Sequence, residues 1–161
     1  MFTVNTNYDI KMSIGDAAQF PLFLNIGTRA APISYKFEKN DGCEIYFYLI
    51  DPDNYKYEYD VMKTITTSGT IITKRFWEEE PVIETGKVTI NANNDLVIKL
   101  EPEDTENLMP KNYIYQIKAK VRCDKVDNSN LIIDPEDEFI TLTVTNKYNF
   151  YLLDDKFNRA W

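Results

Sequence analysis

Histidine is absent from this 161-residue chain. That absence removes the usual general base, the serine and cysteine triads built on it, and the His-containing zinc and copper sites. Glycine occurs only 5 times and never in a cluster, so no phosphate-cradling loop exists and nucleotide binding has no support. Cations are scarce: Lys and Arg number 18 against 26 Asp and Glu, a net charge of -8. Such a surface repels phosphate backbones and anionic membranes, which argues against nucleic acid and membrane partners. No window approaches the roughly 18 to 20 consecutive apolar residues of a membrane helix. Met1-Phe2-Thr3-Val4-Asn5 lacks the basic-then-apolar layout of a signal peptide, so synthesis in the cytoplasm is expected. The two cysteines, Cys43 and Cys123, each fall at an inward position of a predicted strand. A bridge is geometrically allowed, but without a secretion signal two buried, reduced thiols are the expectation.

Aromatic residues make up 14% of the chain, with 11 Tyr, a content that disordered segments do not carry. The length suits one domain with a core sufficient without staples. Alternation sets the fold class. Tyr8, Ile10 and Met12 alternate with polar residues, and Gly15-Asp16 then turns the chain into a second arm carrying Ala18, Phe20, Leu22 and Leu24, a first hairpin. Pro21 lacks an amide proton and argues for an edge position or a bulge in that arm. Cys43, Ile45, Phe47 and Leu49 form an inward set that ends at the Asp51-Pro52-Asp53-Asn54 turn. Short strands are predicted at Val61–Thr66, Thr70–Lys74 and Lys87–Ile90, and another through Leu96, Ile98 and Leu100. Pro102 to Leu108 reads as one short helical turn, because early Pro and carboxylates suit a helix N-terminus. Tyr113, Tyr115, Ile117, Ala119, Val121 and Cys123 mark the strongest strand of all. Leu131–Ile133 and then Ile140, Leu142 and Val144 complete the set. Many short strands without a long amphipathic helix predict an all-β antiparallel sandwich over residues 1–145. Residues 146–161 carry much apolar surface beyond the last of these strands and are expected to form an extended aromatic C-terminal docking tail.

The chemistry left to such a chain is carboxylate chemistry. Glu78-Glu79-Glu80, the acidic run from Asp134 to Glu138, and Asp154-Asp155 are sequence neighbours, which does not give the cleft-spanning separation a glycosidase pair needs. Solvated turns are the expectation, and no catalytic, cofactor or metal residue is assigned. The loops at Asp51-Pro52-Asp53-Asn54 and Asp134 to Glu138 are oxygen-rich, but neither has the spacing and glycine of an EF-hand. Tyr46, Tyr48, Tyr55, Tyr57 and Tyr59 bunch near one turn, where outward rings serve either cross-strand pairing or contact with a partner. With Tyr148, Phe150, Leu153, Phe157 and Trp161 of the tail they make up the candidate interface.

Three pieces in order carry a resemblance: Ile14-Gly15-Asp16 leading to Phe20-Pro21-Leu22; Leu100-Glu101-Pro102-Glu103-Asp104-Thr105-Glu106-Asn107-Leu108; and Asn112-Tyr113-Ile114-Tyr115-Gln116-Ile117, with Phe139-Ile140-Thr141-Leu142 closing the domain. Together they resemble the immunoglobulin-like N-terminal domain of phage baseplate upper proteins and related small virion proteins. Asn112 stands where members of that family carry Gly before the Tyr-x-Tyr strand. The resemblance implies an immunoglobulin-like fold and a non-enzymatic structural role in a virion assembled from proteins made in the host cytoplasm. The implied partners are a second or third copy of the chain and the capsid, fibre or baseplate proteins. A head accessory or fibre anchor is preferred over the baseplate because no receptor domain follows. The alternative is a carbohydrate-binding module for host attachment, suggested by the tyrosine bunch.

Overall fold

The computed structural model describes residues 2–4, 8–28, 30–53, 61–126 and 137–154, the first stretch as backbone only. Its strands are β1 (Phe2–Val4), β2 (Ile10–Ser13), β3 (Ala18–Pro21), β4 (Glu44–Ile50), β5 (Val61–Thr66), β6 (Ile71–Thr73), β7 (Val82–Glu84), β8 (Val97–Leu100), β9 (Lys111–Arg122), β10 (Phe139–Thr143) and β11 (Tyr148–Leu153). One helical turn, α1 (Pro102–Thr105), joins β8 to β9. Among the described residues no helix is long and apolar enough to cross a membrane.

Side-chain alternation is most complete in β9, where Tyr113, Tyr115, Ile117, Ala119 and Val121 are all buried and their neighbours are not. The same period buries Ile45, Phe47 and Leu49 of β4. Both sets join Ile98 and Leu100 of β8, with Leu22, Leu24, Tyr35 and Phe37, in one buried cluster. The large sheet runs β1-β2-β11-β9-β4-β5-β6-β7, and β3 pairs with β8 in the second layer. Single backbone bonds from Leu22 to Leu96 and from Tyr35 to Leu24, each 2.8 Å, lengthen that second layer. The all-β sandwich is therefore present.

β9 is long enough to hold two partners end to end on one side. β11 pairs with its Lys111–Tyr115 half and β10 with its Lys118–Arg122 half, while β4 takes the other side.

Several expectations are corrected. The turn at Gly15 forms, with φ of 80°, but no first hairpin follows it. β2 already has β1 on one side and β11 on the other, so the chain crosses to the second layer, where β3 pairs with β8. The pairing of β2 with β11 is parallel, so the large sheet is mixed rather than wholly antiparallel. The division at residue 145 fails over Tyr148–Leu153: this stretch is β11, inserted between β2 and β9, with Phe150 and Leu152 in the core. Its alternation is as good as that of the earlier strands, but its partners lie far away in sequence. Lys87–Ile90 gives only an isolated bridge at Ile90, and the strand in that region is β7, after Pro81. Cys123 lies past β9 in a 3-10 turn, half-buried, while Cys43 is buried, and both thiols are free. The strand expected at Leu131–Ile133 lies outside the described residues.

Candidate functional site

The tyrosine surface is partly in view. Tyr46 and Tyr48 point to the outer face of β4 and are half-buried. The Tyr46 hydroxyl donates to a Glu44 carboxylate oxygen at 2.6 Å, and Lys118 Nζ lies 5.5 Å from the centre of the Tyr48 ring. Burial, then the Glu44 carboxylate beside it, pushes the Tyr46 hydroxyl well above its usual range. The first contact holds Tyr46 along its own strand, and the second ties Tyr48 across to β9. Tyr55, Tyr57 and Tyr59 lie outside the described residues.

The structure separates the tail candidates. Phe150 is a core residue, Leu153 is half-buried at the end of β11, and Tyr148 turns to the sandwich flank. Phe157 and Trp161 lie outside the described residues.

That flank holds an apolar groove of about 600 Å³. One wall is the Phe20–Phe23 stretch, and the other is the Val144–Tyr148 link between β10 and β11. Tyr8, Tyr148 and Tyr115 line its end as a run of rings, with centroids 5.4 Å apart for Tyr8–Tyr148 and 6.0 Å for Tyr115–Tyr148. The Tyr115 hydroxyl donates to the Tyr8 carbonyl. Burial, then the nearby Tyr148 and Asp9, pushes Tyr115 up to about 12, so the donor keeps its proton at neutral pH. Tyr8 has φ of 65°, a left-handed conformation rare for a bulky side chain. Such strain costs roughly 1–3 kcal/mol and persists where surrounding contacts over-determine it. Phe23, at 70% exposure, forms the outer lip.

Sequence reasoning missed a buried charged cluster. Lys63 occupies an inward position of β5, opposite Phe47 in register, next to a bulge that also buries Met62. Its ammonium donates to Asp104 Oδ2 at 2.6 Å and to the Lys99 carbonyl at 2.9 Å. Arg75 reaches Asp104 Oδ1 through Nε at 3.0 Å and Nη2 at 2.9 Å, and the Glu101 amide caps Oδ2 at 2.7 Å. Asp104 is fully buried, and both its oxygens are occupied by donors of its own chain. The cluster fastens β5, β8 and α1 together. The available signal was a lysine in an inward slot of a strand, together with an acidic α1.

Asp51, Pro52 and Asp53 of the acidic loop form a turn, and Asn54 lies outside the described residues. The Asp53 amide bonds to Asp51 Oδ1 at 3.0 Å, and Lys111 Nζ sits 2.6 Å from the same oxygen with Asp53 on its other side. The lysine takes the place a cation would need, and the two carboxylates hold its ammonium well above the usual lysine range. Cys43 is buried against the Tyr35 hydroxyl at 3.4 Å, and burial pushes its thiol up to about 11, which suppresses the reactive thiolate. Among the described residues no group of three or more His, Cys, Asp and Glu side chains is placed to hold a metal ion. No protein-family model, curated protein or solved structure matches the chain significantly.

Proposed function

We propose that this domain is a non-enzymatic, immunoglobulin-like adaptor in a phage particle, acting by docking to other proteins. Immunoglobulin-like sandwiches pair strands B and E in one sheet and C, F and G in the other. The reading is supported by the pairing of β3 with β8 in one layer and of β4, β9 and β10 in the other, where β5 and β6 continue the sheet beyond β4. At the corner before β9 the Tyr113 hydroxyl donates to the Met109 carbonyl at 3.0 Å, in the manner of a tyrosine corner. Where antibody domains set a Trp of strand C against the B–F disulfide, this chain sets Phe47 against Tyr115, with rings stacked 5.9 Å apart.

The observation that carries the docking role is the open aromatic groove. It is apolar and rimmed by exposed rings, the character of a contact surface. The fully buried Asp104 carboxylate, by contrast, is saturated by its own chain. The virion setting rests on the resemblance to phage baseplate upper proteins, with a homodimer or trimer on the head surface or at a fibre anchor favoured over the baseplate.

Mass measurement of the purified chain and immunogold labelling of particles purified from its host test this reading. Label on the particle surface with an oligomeric mass is expected. Protein found only in the particle-free fraction would overturn it. A carbohydrate-binding module is the second reading, favoured by the exposure of Tyr8 at 60% and Phe23 at 70% beside the groove. Glycan-array binding lost in Tyr8→Ala would support it.

A further inference from the structure

Beside the groove, β10 pairs only with β9 among the described residues. The Val144 amide bonds to the Ile117 carbonyl and the Cys123 amide to the Glu138 carbonyl, both at 2.9 Å, so Ile140 and Leu142 turn their amides to β9. The sheet ends on this side at β1, the first strand of the chain. β1 is three residues long and among the described residues pairs with β2 alone, Phe2 opposite Met12, Thr3 opposite Lys11 and Val4 opposite Ile10. Residues 5–7 of the link to β2 lie outside the described residues, and Tyr8 and Asp9 complete it.

Tyr8 carries its left-handed φ of 65° in this link, a conformation costly for an L-residue with a bulky side chain. The contacts described for this corner all lie on the β2 side of that torsion. The Tyr8 carbonyl accepts from the Tyr115 hydroxyl, the Tyr8 ring lies 5.4 Å from that of Tyr148, and Asp9 Oδ1 accepts from the Asn149 amide at 3.1 Å. Rotation about the Tyr8 N–Cα bond can leave the ring and the carbonyl where they are. What swings is residues 1–7. Relaxing φ to the extended region therefore carries β1 off β2 and keeps each of these anchors in place.

We infer that two copies of the chain exchange β1, each laying its Phe2–Val4 strand along β2 of the other. The inference rests on the oligomer proposed above and names how two copies join. Main-chain bonds between β1 and β2 that break on opening are remade between copies, so the balance falls to the hinge and to the surfaces that the crossing brings together. A link strained in the closed form favours exchange. Relief at two hinges supplies by itself an association of only about millimolar strength. The remainder comes from the flank: Tyr8 lines the groove and is exposed, as is Phe23 at its lip, and chains that cross at Tyr8 bring these apolar surfaces of two copies together.

Light scattering of the full chain at rising concentration, up to about 1 mM, is expected to show a monomer–dimer equilibrium. Gly accepts the left-handed φ freely, whereas Ala loses the same ring and keeps the strain. The dimer of Tyr8→Gly is therefore expected to be weaker than that of Tyr8→Ala by about tenfold or more. Equal constants for the two variants would overturn the hinge. Covalent trapping reads the exchange itself. Thr3→Cys with Lys11→Cys sets two thiols at an opposed pair of the ladder, where Cα atoms lie about 4.5–5.5 Å apart, a separation that a disulfide accepts. Lys11 is exposed, and adding Cys123→Ser leaves only the buried Cys43 besides this pair. The dimer fraction, oxidised and run without reductant, is expected to migrate as a covalent dimer. A dimer fraction that yields only bridges within one chain would overturn the exchange, because another surface then joins the copies. A chain that stays monomeric at about 1 mM would overturn it as well. Protein that labels particles without exchanging β1 defeats this joint and leaves the docking reading standing, while absence from particles defeats the docking reading itself.

Discussion

The Lys63–Asp104–Arg75 cluster and the aromatic flank are both departures from a plain apolar sandwich, and they depart in opposite ways. In the cluster, charge is shut away and each oxygen of Asp104 meets donors from its own chain. At the flank, rings and half-buried aliphatic side chains stand beside a groove of about 600 Å³ with one strand edge unpaired among the described residues. A saturated buried network specifies how elements fit but has nothing left to offer a ligand. An open apolar flank leaves surface that no described residue covers, and the proposed docking role rests on it.

Substitutions sharpen that contrast. Asp104→Ala leaves two cations facing the interior, and breaking a buried pair in this way typically costs about 3–5 kcal/mol. Urea unfolding should show a loss of that order, with Lys63→Met costing less because Asp104 keeps Arg75 and the Glu101 amide. Tyr113→Phe deletes the hydroxyl bond to Met109 and should cost about 0.5–1.5 kcal/mol in the same measurement. Phe23→Ala, at the open lip, should change stability by no more than about 0.5 kcal/mol while reducing partner binding. A large stability loss there would mean that the flank belongs to the core.

The smallest effect concerns acid. Burial alone raises the Asp41 carboxyl, but bonds from the Glu38 and Cys43 amides, at 2.9 Å and 2.8 Å, outweigh it and hold the group below its usual value. A depressed folded-state value gives stability that is present above the unfolded value of about 3.9 and lost as pH falls through the folded one. The urea midpoint should therefore drop below about pH 4, and Asp41→Asn should flatten that drop.

Much of the sandwich was legible because inward residues recur at period two. Ile45, Phe47 and Leu49, Ile98 and Leu100, and the odd-numbered positions from Tyr113 to Val121 are all buried as the pattern requires. The short turn at Pro102 was legible from its proline and carboxylates. What was not legible depends on distant partners. Nothing local in Tyr148–Leu153 says that it lies parallel to β2, and nothing after Gly15 says that both sides of β2 are already taken. The charged cluster was hidden for the same reason: Lys63 looks polar until Asp104, far along the chain, arrives beside it. Of the candidate interface residues that are described, only Tyr148 falls on the groove, and Phe150 is in the core.

Residue-resolved amide exchange of the free protein by NMR tests the open flank most directly. Slow exchange at Ile140 and Leu142, which bond to β9, alternating with fast exchange at Phe139, Thr141 and Thr143, is the expected result. Uniform protection across all five amides would contradict an unpaired edge and, with it, a docking role for this side of the sandwich.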